Sequence, residues 1–211
     1  LDKPESAIIQ IEIATRLKPN WAEALANWGN YLCALNRYGD ALFKYEQSLR
    51  LDGSNQNTRT NYGLALLTLG RLEQGWDFYR SRIRSGAPYY KNLDASSRGW
   101  HGENLSGAKV LINGEQGIGD QVLFASMLEE FADLAELVTL TCSRKLLPIF
   151  EKSFSHLNKV KFLDENINVA THDYDVFTTF IDIGRRLRPG ISAFPYAKPY
   201  LFADEIRAHE M

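Results

Sequence analysis

The segment that decides the fold is AEALANWGNYLCALNRYGDALFKYEQSLRLDGSN, which runs from Ala22 to Asn55. It matches the residues that begin QNTRTNYGLALLTLGRLEQGWDFYRSRI at Gln56 in its small, aromatic and apolar positions. An internal match at an offset of 34 residues is typical of helix–turn–helix repeats, which must stack to bury a core. The paired positions are Trp28 with Tyr62, Gly29 with Gly63, Leu32 with Leu66, Tyr38 with Leu72, Ala41 with Gly75, Tyr45 with Tyr79, and Leu49 with Ile83.

The same register continues upstream, which predicts that the chain begins halfway through a repeat. Glycine inside a helix costs about 0.5–1 kcal/mol relative to alanine. Its recurrence at Gly29 and Gly63 therefore indicates that the paired helices approach each other closely there. The upstream residues that carry the register are Ala7, Ile11, Ala14 and Pro19, which correspond to Ala41, Tyr45, Ser48 and Gly53.

These features resemble the tetratricopeptide repeat (TPR) family over residues 1–84. The resemblance implies a superhelix whose first helices line a concave groove for a protein or peptide. Asn27, Asn30, Asn61 and Leu64 are the peptide-binding candidates in this groove, and Asn27 and Asn61 share one repeat position. A column of amides can bind the backbone of an extended peptide. The alternative is that these asparagines are solvated or hydrogen-bond locally within their helices.

The repeat pattern ends near Arg84, and residues 85–107 predict a linker that contains aromatic side chains. Tyr89, Tyr90 and Trp100 are too apolar for a free linker, so we expect them to pack against one or both flanking domains. A second domain is expected at residues 108–204, followed at 205–211 by the start of a connector or a tail.

Short apolar runs alternate with helical patterns in this second domain. The alternation favours a parallel sheet with right-handed crossovers, and hence a small Rossmann-like α/β domain after the helical repeats. The predicted strands are 109–113, 137–142, 160–163 and 174–179, and the predicted helices are 121–137, 144–154 and 181–187.

A glycine segment joins the first predicted strand to the first predicted helix, with the sequence Asn113-Gly114-Glu115-Gln116-Gly117-Ile118-Gly119-Asp120. This position is the carboxyl edge of the sheet, where open α/β folds bind ligands. Free amides at the helix start can hold an anion or a hydroxyl-rich group. A dinucleotide is excluded because Val122 stands where its fingerprint needs a third small residue, and no ribose-binding acid follows the second strand. We therefore expect no cofactor.

Two carboxylates of the glycine segment, Asp120 and Glu115, are candidate general bases aimed at a bound hydroxyl. The alternative for Asp120 is structural. Acids in the first turn of a helix complement its dipole and cap free amides, for about 0.3–1 kcal/mol. The dipole also lowers the basicity of a carboxylate, so a catalytic Asp120 needs a partner or partial burial. The sequence leaves both interpretations open.

The run from Glu115 to Asp120, with Gln121 and Phe124-Ala125 after it, resembles the N-terminal domain of bacterial glycosyltransferases related to the heptosyltransferases. The resemblance implies half of a GT-B fold, in which this domain holds the sugar acceptor and a C-terminal domain holds the nucleotide-sugar. It also implies acceptor contacts from Gln116, Gly117 and Gly119, with Asp120 as the base. Further matches are Trp100-His101-Gly102, Leu105-Ser106-Gly107 and Pro199-Tyr200-Leu201, whereas Ser126-Met127 replaces a frequent Arg-Tyr pair.

No second glycine-rich nucleotide site follows Leu201. We therefore expect the chain to be a TPR-containing fragment of a glycosyltransferase that is inactive alone. The alternative is a non-catalytic TPR adaptor that mediates protein–protein interaction. An asparagine ladder like the one predicted here occurs in the repeats of the O-linked N-acetylglucosamine transferases, which are similar in domain order.

The composition excludes several other classes of protein. With 24 basic and 26 acidic residues, the chain has no strong attraction to nucleic acid or anionic membranes. No run approaches the ~18 apolar residues of a membrane span. The histidines lack ligand spacing, so we expect no metal site. Cys33 and Cys142 fall in different halves, which favours reduced thiols and a cytoplasmic location.

Overall fold

A computed structural model describes residues 4–84, 98–114, 117–167, 169–170, 173–196 and 198–203. The chain divides into two compact units, which are treated separately below. The first contains the N-terminal helices together with residues 188–192, and the second contains the sheet. This confirms the expected fold class, a mostly helical N-terminal region followed by a small parallel α/β domain.

The helical unit repeats with a fixed offset. Helices α2 and α4 have the same length, and both their first and last residues differ by 34 positions. Helices α1 and α3 are related in the same way. No helix in the described part of the chain is long and apolar enough to cross a membrane. The helices of residues 4–84 are α1 (Pro4–Leu17), α2 (Ala22–Ala34), α3 (Tyr38–Leu51), α4 (Gln56–Thr68), α5 (Leu72–Tyr79) and α6 (Ser81–Arg84).

The turns between paired helices repeat as well. Asn36 and Gly70 stand at the same repeat position, and their φ values of 59° and 75° are both left-handed. After each of them, a backbone amide bonds back to a carbonyl in the last turn of the preceding helix. Arg37 N donates to Leu32 O at 2.9 Å, and the equivalent bond in the next repeat is also 2.9 Å. These bonds satisfy carbonyls that the helix end leaves open and turn the chain toward its partner helix.

Close backbone approach allows the helices to pair. A Cβ at Gly29 would lie 2.5 Å from the ring of Tyr45, and a Cβ at Gly63 would overlap the backbone of Tyr79. The glycines therefore leave room for the neighbouring helix, as the repeat pattern predicts. The core that forms around these contacts consists of Leu32, Ala41, Leu42, Tyr45, Tyr62, Ala65 and Leu66.

The second unit contains a parallel sheet with strand order β3-β2-β1-β4. Its central strands, β1 and β2, have the predicted limits. In the register Asn113 lies beside Thr141 of β2 on one side and Thr179 of β4 on the other. The strands are β1 (Lys109–Asn113), β2 (Leu137–Cys142), β3 (Val160–Asp164) and β4 (Val176–Thr179), and the helices are α7 (Ile118–Ala125), α8 (Leu128–Ala132), α9 (Leu147–Ser153) and α10 (Phe180–Leu187).

Alternate residues of the strands face opposite sides of the sheet. Val110, Ile112 and Leu140 share one face and are almost fully buried. On the opposite face, Leu111 packs with Val169 and Tyr174 from the β3–β4 connection. Strand β1 therefore has apolar side chains on both faces, which is expected for a parallel sheet that is covered on both sides.

The predicted single helix at 121–137 is wrong, because the structure divides it into α7 and α8. At the break, Ser126 N and Met127 N bond to carbonyls three residues back rather than four. The Ser126 hydroxyl also donates to Leu123 O at 2.6 Å. A serine hydroxyl that competes for helix carbonyls disfavours a continuous helix, and the apolar spacing did not reveal this.

Part of the expected linker belongs to the second unit. Gly99 forms a parallel bridge with Phe177, and Trp100 N donates to Phe177 O at 2.8 Å, so residues 98–100 extend along β4. Trp100 is buried, with its ring edge-on to Phe131 at 5.4 Å. Tyr89 and Tyr90 lie outside the described residues.

A buried amide connects the loops at the carboxyl edge of the sheet. Gln121 is 1% exposed, and its Nε2 donates to Gly114 O at 2.9 Å and to Glu165 Oε2 at 3.2 Å. Its Oε1 accepts a bond from Ser143 N at 2.8 Å. Gly114, Ser143 and Glu165 follow β1, β2 and β3, so one side chain holds three loops. A Cβ at Gly114 would overlap Thr141 O, which keeps this edge tightly closed.

Gly63→Ala is expected to destabilise the protein by about 1–3 kcal/mol, because the added methyl meets backbone that cannot rotate away. Gly39→Ala is the matched control, since a Cβ there meets nothing within 4 Å. Alanine in α3 should be neutral or stabilise by up to about 1 kcal/mol. Urea unfolding measures both changes. Equal effects of the two variants would contradict a packing role for Gly63.

Gln121→Glu is expected to make stability depend on pH. The introduced carboxyl can donate to Gly114 O only when protonated, and burial beside Glu165 raises its folded pKa. The variant therefore keeps more of its stability at pH 5 and loses about 2–4 kcal/mol relative to the parent at pH 8. Gln74→Glu is the control, because Gln74 is exposed and accepts from Arg71. Urea unfolding at both pH values gives the comparison, and a loss that is independent of pH would contradict the bonding described here.

Candidate functional site

The glycine segment lies where the strand order reverses. From β1 the chain proceeds to β2 and β3 on one side of the sheet, and then returns to β4 on the other side of β1. The crevice between the carboxyl ends of β1 and β4 is thus a topological switch point, the usual ligand position in open α/β sheets. The segment follows β1 directly and leads into α7 at Ile118.

The two glycines at the start of α7 are not required by internal packing. Both are exposed, and a Cβ at Gly119 would meet nothing within 4 Å. A Cβ at Gly117 would meet only Asp120 Oδ2, at 3.9 Å. Gly117 is the N-cap of α7 and supplies no side-chain cap. The free amides of the first helical turn are therefore open to a molecule that approaches the backbone closely.

Asp120 lies in the first turn of α7 and is partly buried. Among the described residues, its carboxylate forms neither a hydrogen bond nor an ion pair, so the geometry contains no capping bond from Asp120 to the helix start. Asp120 differs in its hydrogen bonding from Gln121, whose amide nitrogen and amide oxygen both form hydrogen bonds. A carboxylate at this edge can accept a proton or a hydroxyl hydrogen bond from a ligand.

Polar side chains at the ends of three neighbouring strands were not identified from the sequence. Asn113 and Thr179 are the last residues of β1 and β4, and Thr141, the last residue but one of β2, lies beside Asn113 in the same row of the register. Thr141 Oγ1 donates to Asn113 Oδ1 at 3.2 Å. Thr179 Oγ1 accepts from Asp182 N at 3.2 Å and thereby caps α10. The signal in the sequence was a polar residue at the end, or one position before the end, of each of these three predicted strands.

Glu115 and Gln116, the remaining predicted residues of this segment, lie outside the described residues. The structure therefore brings Gly117, Gly119 and Asp120 together at the start of α7. These three residues lie at the carboxyl edge of the sheet, where Asn113, Thr141 and Thr179 also lie. The roles of the five residues as base and acceptor contacts stay predictions.

The second candidate is a surface on the first helices of the helical unit, formed by Asn27, Asn30, Asn61 and Leu64 and named here the asparagine face. Asn61 Nδ2 donates to Asn30 Oδ1 at 2.9 Å, which joins α4 to α2. Asn30 Nδ2 lies 3.5 Å from Asn27 Oδ1 in the same helix. Leu64 is 42% exposed beside them. The amides therefore form a bonded chain in which Asn30 links Asn61 to Asn27.

A buried tyrosine reaches this chain of amides from the core. Tyr45 is 1% exposed, and its hydroxyl donates to Asn30 Oδ1 at 2.8 Å. Burial raises the pKa of Tyr45, so its hydroxyl stays protonated and able to donate. The Cys33 thiol lies 3.6 Å from the same hydroxyl oxygen, and burial raises the pKa of this thiol too. The Oδ1 atom of Asn30 thus accepts two hydrogen bonds, one from each neighbouring helix.

Comparison with protein-family models gives no match. Over 217 aligned residues, the chain is 28% identical to the protein FlbA of Caulobacter vibrioides; the alignment covers 95% of this chain and 36% of FlbA. Among solved structures, the chain matches a mutant O-GlcNAc transferase of Thermobaculum terrenum at 13% identity and a TM-score of 0.35. That match covers 79% of this chain and 43% of the transferase. The chain thus spans about a third of the length of FlbA.

Proposed function

We propose that the α/β unit is the acceptor-side, Rossmann-like domain of a nucleotide-sugar-dependent glycosyltransferase with a GT-B fold. The helical unit is then its TPR array, which binds a protein or peptide. The observation that carries the proposal is the carboxylate of Asp120, which has no hydrogen-bond or ion-pair partner among the described residues and lies beside the glycines of α7, at the switch point of the sheet. The resemblance of residues 115–125 to the glycosyltransferase motif supports the same assignment.

The proposed sugar transfer makes only a few chemical demands on the carboxyl edge of the sheet. An acceptor hydroxyl must be held, must lose its proton and must attack the anomeric carbon of an activated sugar while the nucleotide leaves. In the proposed mechanism the carboxylate of Asp120 takes that proton. Amides of the α7 start and the polar row that includes Asn113 and Thr179 hold the remaining hydroxyls. The GT-B resemblance implies that a second, C-terminal domain holds the activated sugar, and the proposal takes the donor from such a domain.

The buried Gln121 supports this assignment in a different way. A catalytic carboxylate must be held in a fixed position by the backbone that carries it. That position is fixed most precisely where the supporting side chains are themselves held by hydrogen bonds. Gln121 is next to Asp120 in α7 and holds the loops after β1, β2 and β3. It thereby fixes the start of α7 without using the groups that face a ligand.

A second candidate function is favoured by the asparagine face: a TPR adaptor that binds an extended peptide. The three asparagines have fixed relative positions through their mutual bonds. An ordered set of amides loses little side-chain entropy when it binds a main chain. This function does not require sugar transfer, so the two candidates give different experimental results.

Asp120→Asn is expected to reduce sugar transfer at least about 100-fold, because the amide cannot take the proton. The assay uses the protein in the form that its gene encodes, with a panel of radiolabelled nucleotide-sugars. Asp133→Asn is the matched control, since Asp133 is an exposed acid at the end of α8, near the opposite edge of the sheet. It should leave transfer unchanged. Transfer that survives Asp120→Asn, or no transfer from any donor, would contradict the glycosyltransferase assignment.

Asn61→Ala is expected to weaken peptide binding about three- to tenfold, because the surface loses one or two hydrogen bonds to the peptide backbone. The peptide is the tightest binder selected from a displayed library, and calorimetry measures its affinity. Asn57→Ala is the control, since Asn57 is exposed in the same helix and lies outside the asparagine face. Equal affinities of the two variants would exclude Asn61 from the binding surface.

A further inference from the structure

The orientation of an asparagine amide determines whether it offers a donor or an acceptor. On the asparagine face that orientation is coupled from one residue to the next, because Asn61 donates to the Asn30 oxygen and Asn30 donates toward Asn27. Rotating the amide of Asn30 by half a turn would require both neighbours to rotate as well. The chain of amides therefore has two self-consistent arrangements of opposite polarity.

The group that distinguishes the two arrangements is the hydroxyl of Tyr45. In the observed arrangement the phenol donates its single hydrogen to Asn30 Oδ1 at 2.8 Å, and the Cys33 thiol can donate to the phenol oxygen. In the reversed arrangement Asn30 would donate to the phenol, whose hydrogen would then have only the Cys33 sulfur as acceptor. Sulfur is a weak acceptor and an amide oxygen is a strong one. The observed polarity is therefore the more stable of the two.

We propose that Tyr45 is a positioning residue of the asparagine face, whose hydroxyl fixes the amide of Asn30 with its nitrogen available to a peptide carbonyl. This inference rests on the proposed peptide-binding function. Because Asn30 Oδ1 already accepts two bonds, the remaining hydrogen-bonding capacity at the Asn27–Asn30 end consists mainly of N–H donors. The face thereby selects a partner segment that presents main-chain carbonyl oxygens there.

The repeat itself provides an internal comparison. Tyr79 occupies the repeat position of Tyr45, and Leu64 occupies that of Asn30. In this second repeat there is no amide to orient, and the Tyr79 hydroxyl instead accepts a bond from Arg82 at 3.2 Å. The tyrosine ring recurs in both repeats, and in the repeat that carries Asn30 its hydroxyl donates to that amide. The bond from Tyr45 to Asn30 therefore adds to the ring packing that both repeats share.

Gly29 is the second requirement for this arrangement. Its missing side chain leaves the space that the Tyr45 ring occupies, and an added Cβ would lie 2.5–2.8 Å from three ring atoms. Successive contacts therefore connect the core to the surface: Gly29 packs against the ring of Tyr45, and the Tyr45 hydroxyl bonds to the amide of Asn30. Asn61 of the neighbouring repeat bonds to the same amide.

Tyr45→Phe tests the inference because it keeps the ring and removes the hydroxyl. Side-chain amide signals of Asn30 and Asn61 in ¹⁵N–¹H spectra should shift, since the Asn30 amide is no longer held in one orientation. Tyr62→Phe is the matched control; it removes another core hydroxyl, which bonds Glu46 at 2.8 Å. That variant should leave both signals in place. Unchanged Asn30 and Asn61 signals in Tyr45→Phe would overturn the proposal without reference to any peptide.

A double-mutant cycle tests the consequence for binding. The probe is the peptide selected from the displayed library, and Tyr45→Phe should weaken it about three- to tenfold. In an Asn30→Leu background, which copies Leu64 of the next repeat, Tyr45→Phe should cause no further loss. An equal loss in both backgrounds would mean that Tyr45 acts through packing, and would overturn the inference. If no library peptide binds the parent protein, peptide binding itself is wrong, while the spectra still decide the orientation of Asn30.

Discussion

The constraint on which both units depend is a backbone contact that leaves no room for a Cβ. In the helical unit Gly63 lies against the backbone of Tyr79, and in the α/β unit Gly114 lies against Thr141 O. Each contact brings two elements closer than any side chain would allow, and the surrounding groups then pack at fixed distances. Because Gly114 also offers its carbonyl to Gln121, the same close approach positions the loop that leads into α7.

Sequence reasoning succeeded where the signal is local or repeated and failed where a distant group decides the outcome. The repeated glycines and aromatic residues predicted the paired helices, because the two helices of every repeat must pack against each other in the same way. The limits of β1 followed from a short apolar run bounded by glycines, and those of β2 from a run rich in residues that favour strands. The break at Ser126, where the serine hydroxyl bonds to Leu123 O, has no periodic signature. The contacts of Gln121 span up to 44 positions of sequence, so no local pattern reveals them.

Hydrogen bonds distinguish the structural polar side chains of α7 from the candidate functional ones, whereas residue type does not. Gln121 and Asp120 are neighbours in one helix, and both were part of the motif that suggested a ligand site. The buried amide is engaged at both its oxygen and its nitrogen, so it maintains the fold. The partly buried carboxylate of Asp120 has no such partner among the described residues. Buried polar groups are normally paired, so a carboxylate that lacks a partner in the described part of the chain is the one of the two to test for chemistry.

Hydrogen bonds also change the interpretation of the asparagine face. Their shared repeat position suggested independent amides in a column, with Asn27 and Asn61 as equivalents. The structure instead bonds Asn61 to Asn30, so the amides form a chain that crosses from one repeat to the next. Hydrogen bonds in such a chain polarise one another, and the buried hydroxyl of Tyr45 donates to its central member, Asn30. The orientation of amides at the surface is therefore coupled to a hydroxyl in the core, which is the basis of the peptide-binding proposal.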